Sequence, residues 1–221
     1  MKKNLSIWII LLLAGMPGTK AQEKLVAGKN NVISVNSFTI TFPEKYLERN
    51  AKWTIRKKSD EFDIIELAAI DESGIPLLAY TMKKYTMEFF MDSIKPESLI
   101  PLPNDSIAAY FFNNQLKMMI EKDAQDKNYV IRDHQEGSDS INGKLFHTFN
   151  YAVYNKKGGY VLLGYLYIYF PKDSNNEEFF VSYFSEPINF AGYKKGSKAK
   201  WLDCFHEILS TLVIKEKSTT Q

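Results

Sequence analysis

Residues 160–170 have the sequence YVLLGYLYIYF, in which nearly every position is apolar or aromatic. A strand with one covered face alternates apolar and polar residues, whereas a strand covered on both faces has a nearly continuous apolar run. The stretch therefore predicts a central strand of a sheet with packing on both of its faces. Tyr165, Tyr167 and Tyr169 are spaced two apart and share one face of this strand.

The segments on either side of this stretch predict more strands of an antiparallel sheet. Residues 145–154 precede it across a hairpin turn at residues 156–159, and residues 179–184 follow it across a polar turn. Five further strands are predicted elsewhere in the chain, over residues 31–43, 53–56, 62–70, 77–83 and 129–132. Residues 133–139 are rich in polar side chains and are predicted to form a solvated turn.

Two helices are predicted, separate from the strands. The first begins with an N-cap at Asp105 or Ser106 and runs to about Asp123. The second covers residues 198–212 and has an apolar stripe at helical spacing, formed by Trp201, Phe205, Ile208 and Leu212. Segregated helices and antiparallel strands are typical of the α+β class. With a strand covered on both faces, they predict an antiparallel sheet sandwiched between helices, an α/β/α sandwich.

The first 21 residues have the features of a bacterial secretory signal peptide. Lys2 and Lys3 precede an apolar run over residues 5–16, which is shorter than a bilayer-spanning helix requires. Small residues near the end of this segment predict cleavage between Ala21 and Gln22. The alternative is an uncleaved anchor. Cleavage predicts a periplasmic or secreted protein without stable membrane insertion.

The domain organisation follows from this cleavage. Residues 22–30 are expected to be a flexible lead-in, residues 31–214 a single α+β domain, and residues 215–221 a disordered tail. Loss of residues 1–21 removes three of the 28 Lys and Arg residues and no acidic one, leaving 25 basic against 26 acidic residues. A chain so close to neutrality has no basic footprint for nucleic acid.

The polar and nucleophilic side chains predict no catalytic residue, no metal and no cofactor. His134, in the acidic segment 133–139, lacks the ligand spacing of a zinc or calcium site. Cys204 and His206 are two residues apart on a predicted helix and so point to different faces. Cys204, the one cysteine, is predicted to be a small buried residue. Serine-nucleophile elbows and nucleotide-binding glycine loops are absent from the sequence.

An unusual aromatic pattern supplies the candidate ligand-binding residues, which are Tyr151, Tyr165, Tyr167, Tyr169 and Tyr183. They lie on three consecutive predicted strands, and if aligned they would form a platform able to stack a sugar or grip a peptide. The alternative is a core face of the sheet that a helix covers, with the hydroxyl groups at its rim.

The domain opens with the motif FTITFP over residues 38–43 and closes with FHEILSTL over residues 205–212. These motifs resemble the F-x-I-x-F-P strand and the F-x-x-I-L-x-S terminal helix of the PsbP-like and DcrB-like superfamily. The chain departs from that pattern after Pro43, where Glu44-Lys45-Tyr46 replaces the usual Gly-Trp. The resemblance covers most of residues 31–214. It implies an α/β/α sandwich and a non-enzymatic accessory, adaptor or chaperone role.

Three functional hypotheses follow. The leading one is an exported, non-enzymatic envelope protein that binds a protein partner as an accessory or adaptor. The second is a small-ligand or glycan binding module that uses the tyrosine-rich face. The third is a hydrolase with dispersed catalytic residues, in which titratable groups with perturbed pKa values would converge in a pocket.

Overall fold

The computed structural model describes most of the domain predicted from the sequence. The described residues are 31–47, 50–74, 76–88, 103–117, 129–155, 158–172, 177–187 and 197–215. The predictions for the signal peptide, the lead-in and the tail beyond residue 215 lie outside them.

Ten strands in the described residues form two antiparallel sheets. The smaller sheet contains β1 (Val32–Ser34), β2 (Phe38–Thr41) and β10 (Val213–Ile214), with β2 in the middle. Phe38, Ile40 and Phe42 are buried, whereas the intervening threonines are only partly covered, as the alternating pattern predicted.

The larger sheet has seven strands and contains the stretch that dominates the sequence. Its strands are β3 (Lys52–Ser59), β4 (Ile64–Ile70), β5 (Pro76–Thr86), β6 (Tyr129–Ile141), β7 (Lys144–Asn155), β8 (Gly158–Tyr169) and β9 (Glu178–Pro187). Their order across the sheet is β3-β4-β5-β9-β8-β7-β6. The predicted central strand, β8, therefore has two strands on one side and four on the other, and β3 and β6 are the two edges.

Two helices are described. Helix α1 covers Asn104–Tyr110 and continues as a π-helical stretch over Phe111–Lys117, and α2 covers Ser197–Ser210. The N-cap predicted at Asp105 or Ser106 is wrong, because the cap position is Pro103 and no side chain caps the helix there. Asp105 lies in the first turn instead, and its carboxylate oxygen is 2.7 Å from Nδ1 of His147.

The buried side chains form two clusters on opposite faces of the large sheet. The cluster on the α2 side contains Phe205 and Ile208 from the helix, together with inward-facing side chains of β2. The cluster on the α1 side contains Phe111 and Phe112, which pack on β7, β8 and β9. All four members of the predicted α2 stripe are buried. The predicted α+β class, with an antiparallel sheet and segregated helices, is confirmed.

The largest error of the sequence prediction concerns residues 133–139, which were expected to form a turn. They belong to β6, which is a single strand interrupted by a bulge between Arg132 and Gln135, with Asp133 at φ 52°. The turn comes later, at Asn142 and Gly143, whose positive φ angles of 48° and 74° suit a two-residue hairpin. An edge strand tolerates polar residues because one of its sides faces water.

Candidate functional site

The five candidate tyrosines do not form one platform, because the sheet register divides them between its two faces. Tyr165 and Tyr167 belong to the cluster on the α2 side, and Tyr169 packs against it. Tyr151 belongs to the opposite cluster, and Tyr183 packs against that one. In the register of β7 with β8, Asn150 is opposite Tyr165 and Tyr151 is opposite Gly164, so Tyr151 points to the other face.

Helix α2 covers the tyrosines on its side of the sheet. Tyr165 and Tyr167 are only 2% and 1% exposed. The Phe205 ring meets the Tyr167 ring edge-on, with their centroids 4.7 Å apart. This is the covered arrangement that the sequence offered as the alternative to an open platform.

The hydroxyl of Tyr167 connects three elements of the fold. It donates a hydrogen bond to Oδ2 of Asp139 on β6, at 2.7 Å, and lies 2.9 Å from Nε2 of His206 on α2. Burial, and secondarily the hydrogen bond to Asp139, raises the pKa of Tyr167 well above its usual range. The phenol stays protonated and directs its O–H at Asp139 in a hydrogen bond. Its oxygen can therefore accept from His206, and we assign Nε2–H of His206 as the donor.

This arrangement is suited to positioning a charge at the sheet edge. A phenol held neutral and buried is a poor nucleophile or base. Asp139 is different, because its side chain is 44% exposed while Oδ2 is 3.4 Å from Nε2 of His206. The network therefore holds a partly exposed carboxylate in a fixed position beside β6.

A second set of contacts fastens α2 to its surroundings. Nδ2 of Asn142, at the tip of the β6–β7 hairpin, donates a 2.8 Å hydrogen bond to the carbonyl oxygen of Ser210 at the end of the helix. The Tyr46 hydroxyl donates at 2.8 Å to Glu207, and hydrogen bonds from Lys45 and Tyr46 lower the pKa of that carboxyl. The position of β6 is thus fixed relative to α2 at both the hairpin tip and Asp139.

Titratable groups with perturbed pKa values also occur on the other sheet face, near β3. Burial raises the pKa of Glu66 and lowers the pKa of Lys83, and Nζ of Lys57 lies 3.9 Å from Oε1 of Glu66. These side chains belong to the neighbouring strands β3, β4 and β5, so they form a partly buried cross-strand charge cluster. The contacts are those of an ion pair between strands.

The side chains that the sequence analysis considered and set aside as a metal ligand or a nucleophilic thiol take the following positions. Cys204 is fully buried in the α2-side cluster, as predicted. In the β6 bulge region, Nε2 of His134 lies 3.8 Å from Oε1 of Glu136, while Asp133 accepts a 2.6 Å hydrogen bond from Tyr154. Among the described residues, no three His, Cys, Asp or Glu side chains converge as a metal site would require.

The two edges of the large sheet differ in regularity. Beyond its bulge, β6 pairs with β7 without interruption from Gln135 to Ile141, and none of the described strands lies on its outer side. We call residues 135–141 the β6 edge. The other edge, β3, is divided by a bulge between Ile55 and Lys57. The sequence prediction missed the β6 edge, because its Gly, Ser and acidic residues are typical of a turn.

Comparison with known proteins identifies the fold. No family model matches the chain, and the curated proteins contain no match. The solution structure of cyanobacterial PsbP (CyanoP) from Synechocystis sp. PCC 6803 is similar, with a TM-score of 0.51 and 10% identity over 90% of this chain and 99% of that one. A crystal structure of a Pseudomonas aeruginosa protein of unknown function, PA94, has a TM-score of 0.38 and 9% identity over 86% of this chain and 100% of that one.

The likeness to PsbP is the basis of the fold assignment, and the character of the described helices is a separate finding. Within the described part of the chain, no helix has both the length and the apolar character needed to cross a bilayer. The likeness to PsbP concerns the fold, at an identity too low to carry an activity. The chain therefore has the PsbP-like fold that its opening and closing motifs predicted.

Proposed function

We propose that this is an exported, non-enzymatic accessory protein that binds another envelope protein, and that the β6 edge is its binding element. The observation that carries the proposal is the regular pairing of residues 135–141 with β7, with none of the described strands on their outer side. An extended segment of a partner can join such an edge as an additional strand, with backbone hydrogen bonds supplying affinity and side chains supplying specificity.

The contrast with β3 supports the choice of edge. Natural edge strands avoid unwanted pairing through lysines, prolines, bulges and short length. Strand β3 has a central bulge and exposes Lys52, Arg56 and Lys58. The β6 edge contains neither lysine nor proline, and its bulge lies before Gln135 and leaves seven regular residues.

The positions of the aromatic and titratable side chains favour a protein partner over the other two hypotheses. A ligand on the tyrosine-rich face would need access to Tyr165 and Tyr167, which α2 covers. For a hydrolase, neither the Tyr167 hydroxyl nor the Cys204 thiol is placed to act as a nucleophile, because the first is neutral and buried and the second is fully buried. The proposal includes the full α/β/α sandwich, for which the two helix-containing clusters on opposite sheet faces are the support.

Site-specific photocrosslinking tests the proposed binding element. A photoreactive amino acid is placed at Ser140 or Gln135 on the β6 edge, and at the exposed Lys58 on β3 as the matched control. In envelopes of the native host, we expect one discrete protein crosslinked from both β6 positions and none from Lys58. Equal crosslinking from β3 and β6, or a partner captured only from β3, would contradict the proposal.

Export has its own test. We propose that residues 1–21 are removed and that the mature protein is periplasmic or secreted. N-terminal sequencing of protein purified from the host should begin at Gln22. A sequence that begins at Met1 would contradict cleavage, and recovery in the cytoplasmic fraction would contradict export.

A further inference from the structure

We infer that the segment received by the β6 edge is an extended basic strand whose Lys or Arg residues lie three positions apart; this inference rests on the proposed function. The placement of two carboxylates on the β6 edge indicates the charge and the spacing of the partner segment. Within residues 135–141 the charged side chains are Glu136 and Asp139, with no lysine or arginine among them. The other sheet edge, β3, has the opposite sign, with Lys52, Arg56 and Lys58 exposed.

The two carboxylates lie on opposite faces of the sheet. Glu136 is opposite Phe149, which belongs to the α1-side cluster, and Asp139 is opposite Phe146, which belongs to the α2-side cluster. Successive side chains of a strand alternate between faces, so positions separated by three also point to opposite faces. An added strand therefore offers one cation to each carboxylate only when its basic residues have an odd spacing, and a spacing of three matches that of Glu136 and Asp139.

Both carboxylates remain available to solvent, and that of Asp139 is held in a fixed place. The Glu136 side chain is 51% exposed, and the Asp139 side chain is 44% exposed. Tyr167 and His206 hold Oδ2 of Asp139, which reduces the side-chain ordering that binding would otherwise require. Between the two acidic residues lie only Gly137 and Ser138, so the intervening outer surface carries no bulky side chain.

Peptide binding to the mature full-length protein tests the inference. The probes are fluorescein-labelled peptides TVKVTKVT, with lysines three apart, TVKVKTVT, with lysines two apart, the acidic TVEVTEVT and the neutral TVSVTSVT. Anisotropy at low salt should give the tightest binding for TVKVTKVT and about threefold weaker binding for TVKVKTVT, because only one of its lysines can meet a carboxylate. Binding of TVKVTKVT should weaken further as salt screens these charges.

Variants locate the interaction. Glu136→Gln should weaken TVKVTKVT binding about threefold and should abolish its advantage over TVKVKTVT. The matched control is Glu61→Gln, which neutralises an exposed acid in the β3–β4 turn and should change neither affinity. A photoreactive residue at Ser140 should crosslink TVKVTKVT, whereas one at Lys58 should not.

Two outcomes would overturn the inference. Equal affinity for TVKVTKVT and TVSVTSVT, with crosslinking at Ser140, would show that the partner segment need not be basic. Strand addition at the β6 edge would still stand. Absence of any peptide crosslink at Ser140 would overturn the inference as well. In that case the host-envelope crosslinking decides separately whether the proposed function fails, since it depends on the native partner and on no assumed sequence.

Discussion

Strands β8 and β6 have nearly equal lengths, twelve and thirteen residues, and lie in the same sheet with only β7 between them. From Leu162 to Ile168, almost every residue of β8 is buried, whereas residues 132–138 of β6 are all exposed. Strand β8 is stabilised by packing on both faces, and β6 by its backbone pairing with β7. The same secondary structure thus serves as core in one place and as a candidate binding element in the other.

The buried tyrosines around the sheet centre predict the largest effect, a loss of stability at alkaline pH. Burial raises the pKa of Tyr80, Tyr85, Tyr151 and Tyr167 above the usual value, which the unfolded chain retains. Their stabilising contribution is therefore fully present below about pH 10 and is lost as the pH rises, by about 1.4 kcal/mol per pH unit for each tyrosine.

Absorbance at 295 nm and circular dichroism, followed together, check this prediction. We expect these tyrosines to ionise in one cooperative step that coincides with unfolding. Ionisation of all the tyrosines near pH 10 with the circular dichroism unchanged would show that both faces of the sheet centre are open to solvent.

Phe205→Ala removes the ring through which α2 contacts the central strands. Its centroid lies 4.7 Å from that of Tyr167 and 5.1 Å from that of Phe184. The free energy of unfolding should fall by about 3–5 kcal/mol. Gln135→Ala on the β6 edge is the matched control and should change it by less than about 0.5 kcal/mol. Comparable losses for the two variants, measured by urea unfolding, would abolish the distinction between centre and edge.

The centre and the edge of the sheet also differ in the room that they leave for a side chain at a glycine. A Cβ at Gly164 on β8 would overlap the Tyr151 ring, whereas one at Gly137 on β6 would meet only Oγ1 of Thr148, at 3.3 Å. Gly164→Ala should therefore cost about 1–3 kcal/mol through overpacking, and Gly137→Ala should cost less. Thermal unfolding of both variants gives the comparison, and a larger loss at Gly137 would contradict it.

Two tyrosine hydroxyls give the smallest expected difference. Tyr167→Phe removes the partly buried hydrogen bond to Asp139 and should cost about 1 kcal/mol. Tyr154→Phe removes a 2.6 Å hydrogen bond to Asp133 at the exposed end of β6, where water can replace it, and should cost less than about 0.5 kcal/mol. Equal losses in chemical denaturation would mean that the Tyr167 network is no better protected from water than the edge.

Much of the fold was predictable because its strands and its final helix carry local signals. The apolar run of β8, the alternation at Phe38 and Ile40, and the stripe of α2 each reflect burial that repeats at the period of the element. The β6 edge was mistaken for a turn because Gly137 and Ser138 have low strand propensity, and only pairing with β7 makes them extended.

The candidate site was less predictable than the fold. Tyr167 is 28 residues from Asp139 and 39 from His206 along the chain, and no local pattern relates the three. The sequence correctly placed Tyr165 and Tyr167 on one face, but the platform with Tyr151 required a register that the structure does not have.

The sequence by itself determined the class of fold, the central place of β8 and the buried face of α2, because hydrophobic periodicity is a property of each segment alone. Tertiary structure decided which strands became edges and where Asp139 meets Tyr167 and His206. It also decided that Tyr151 of β7 and Tyr183 of β9 lie on the opposite face of the sheet from the tyrosines of β8. These features depend on strand order and register, which arise only when segments distant in the chain pack together and bury their apolar faces in common.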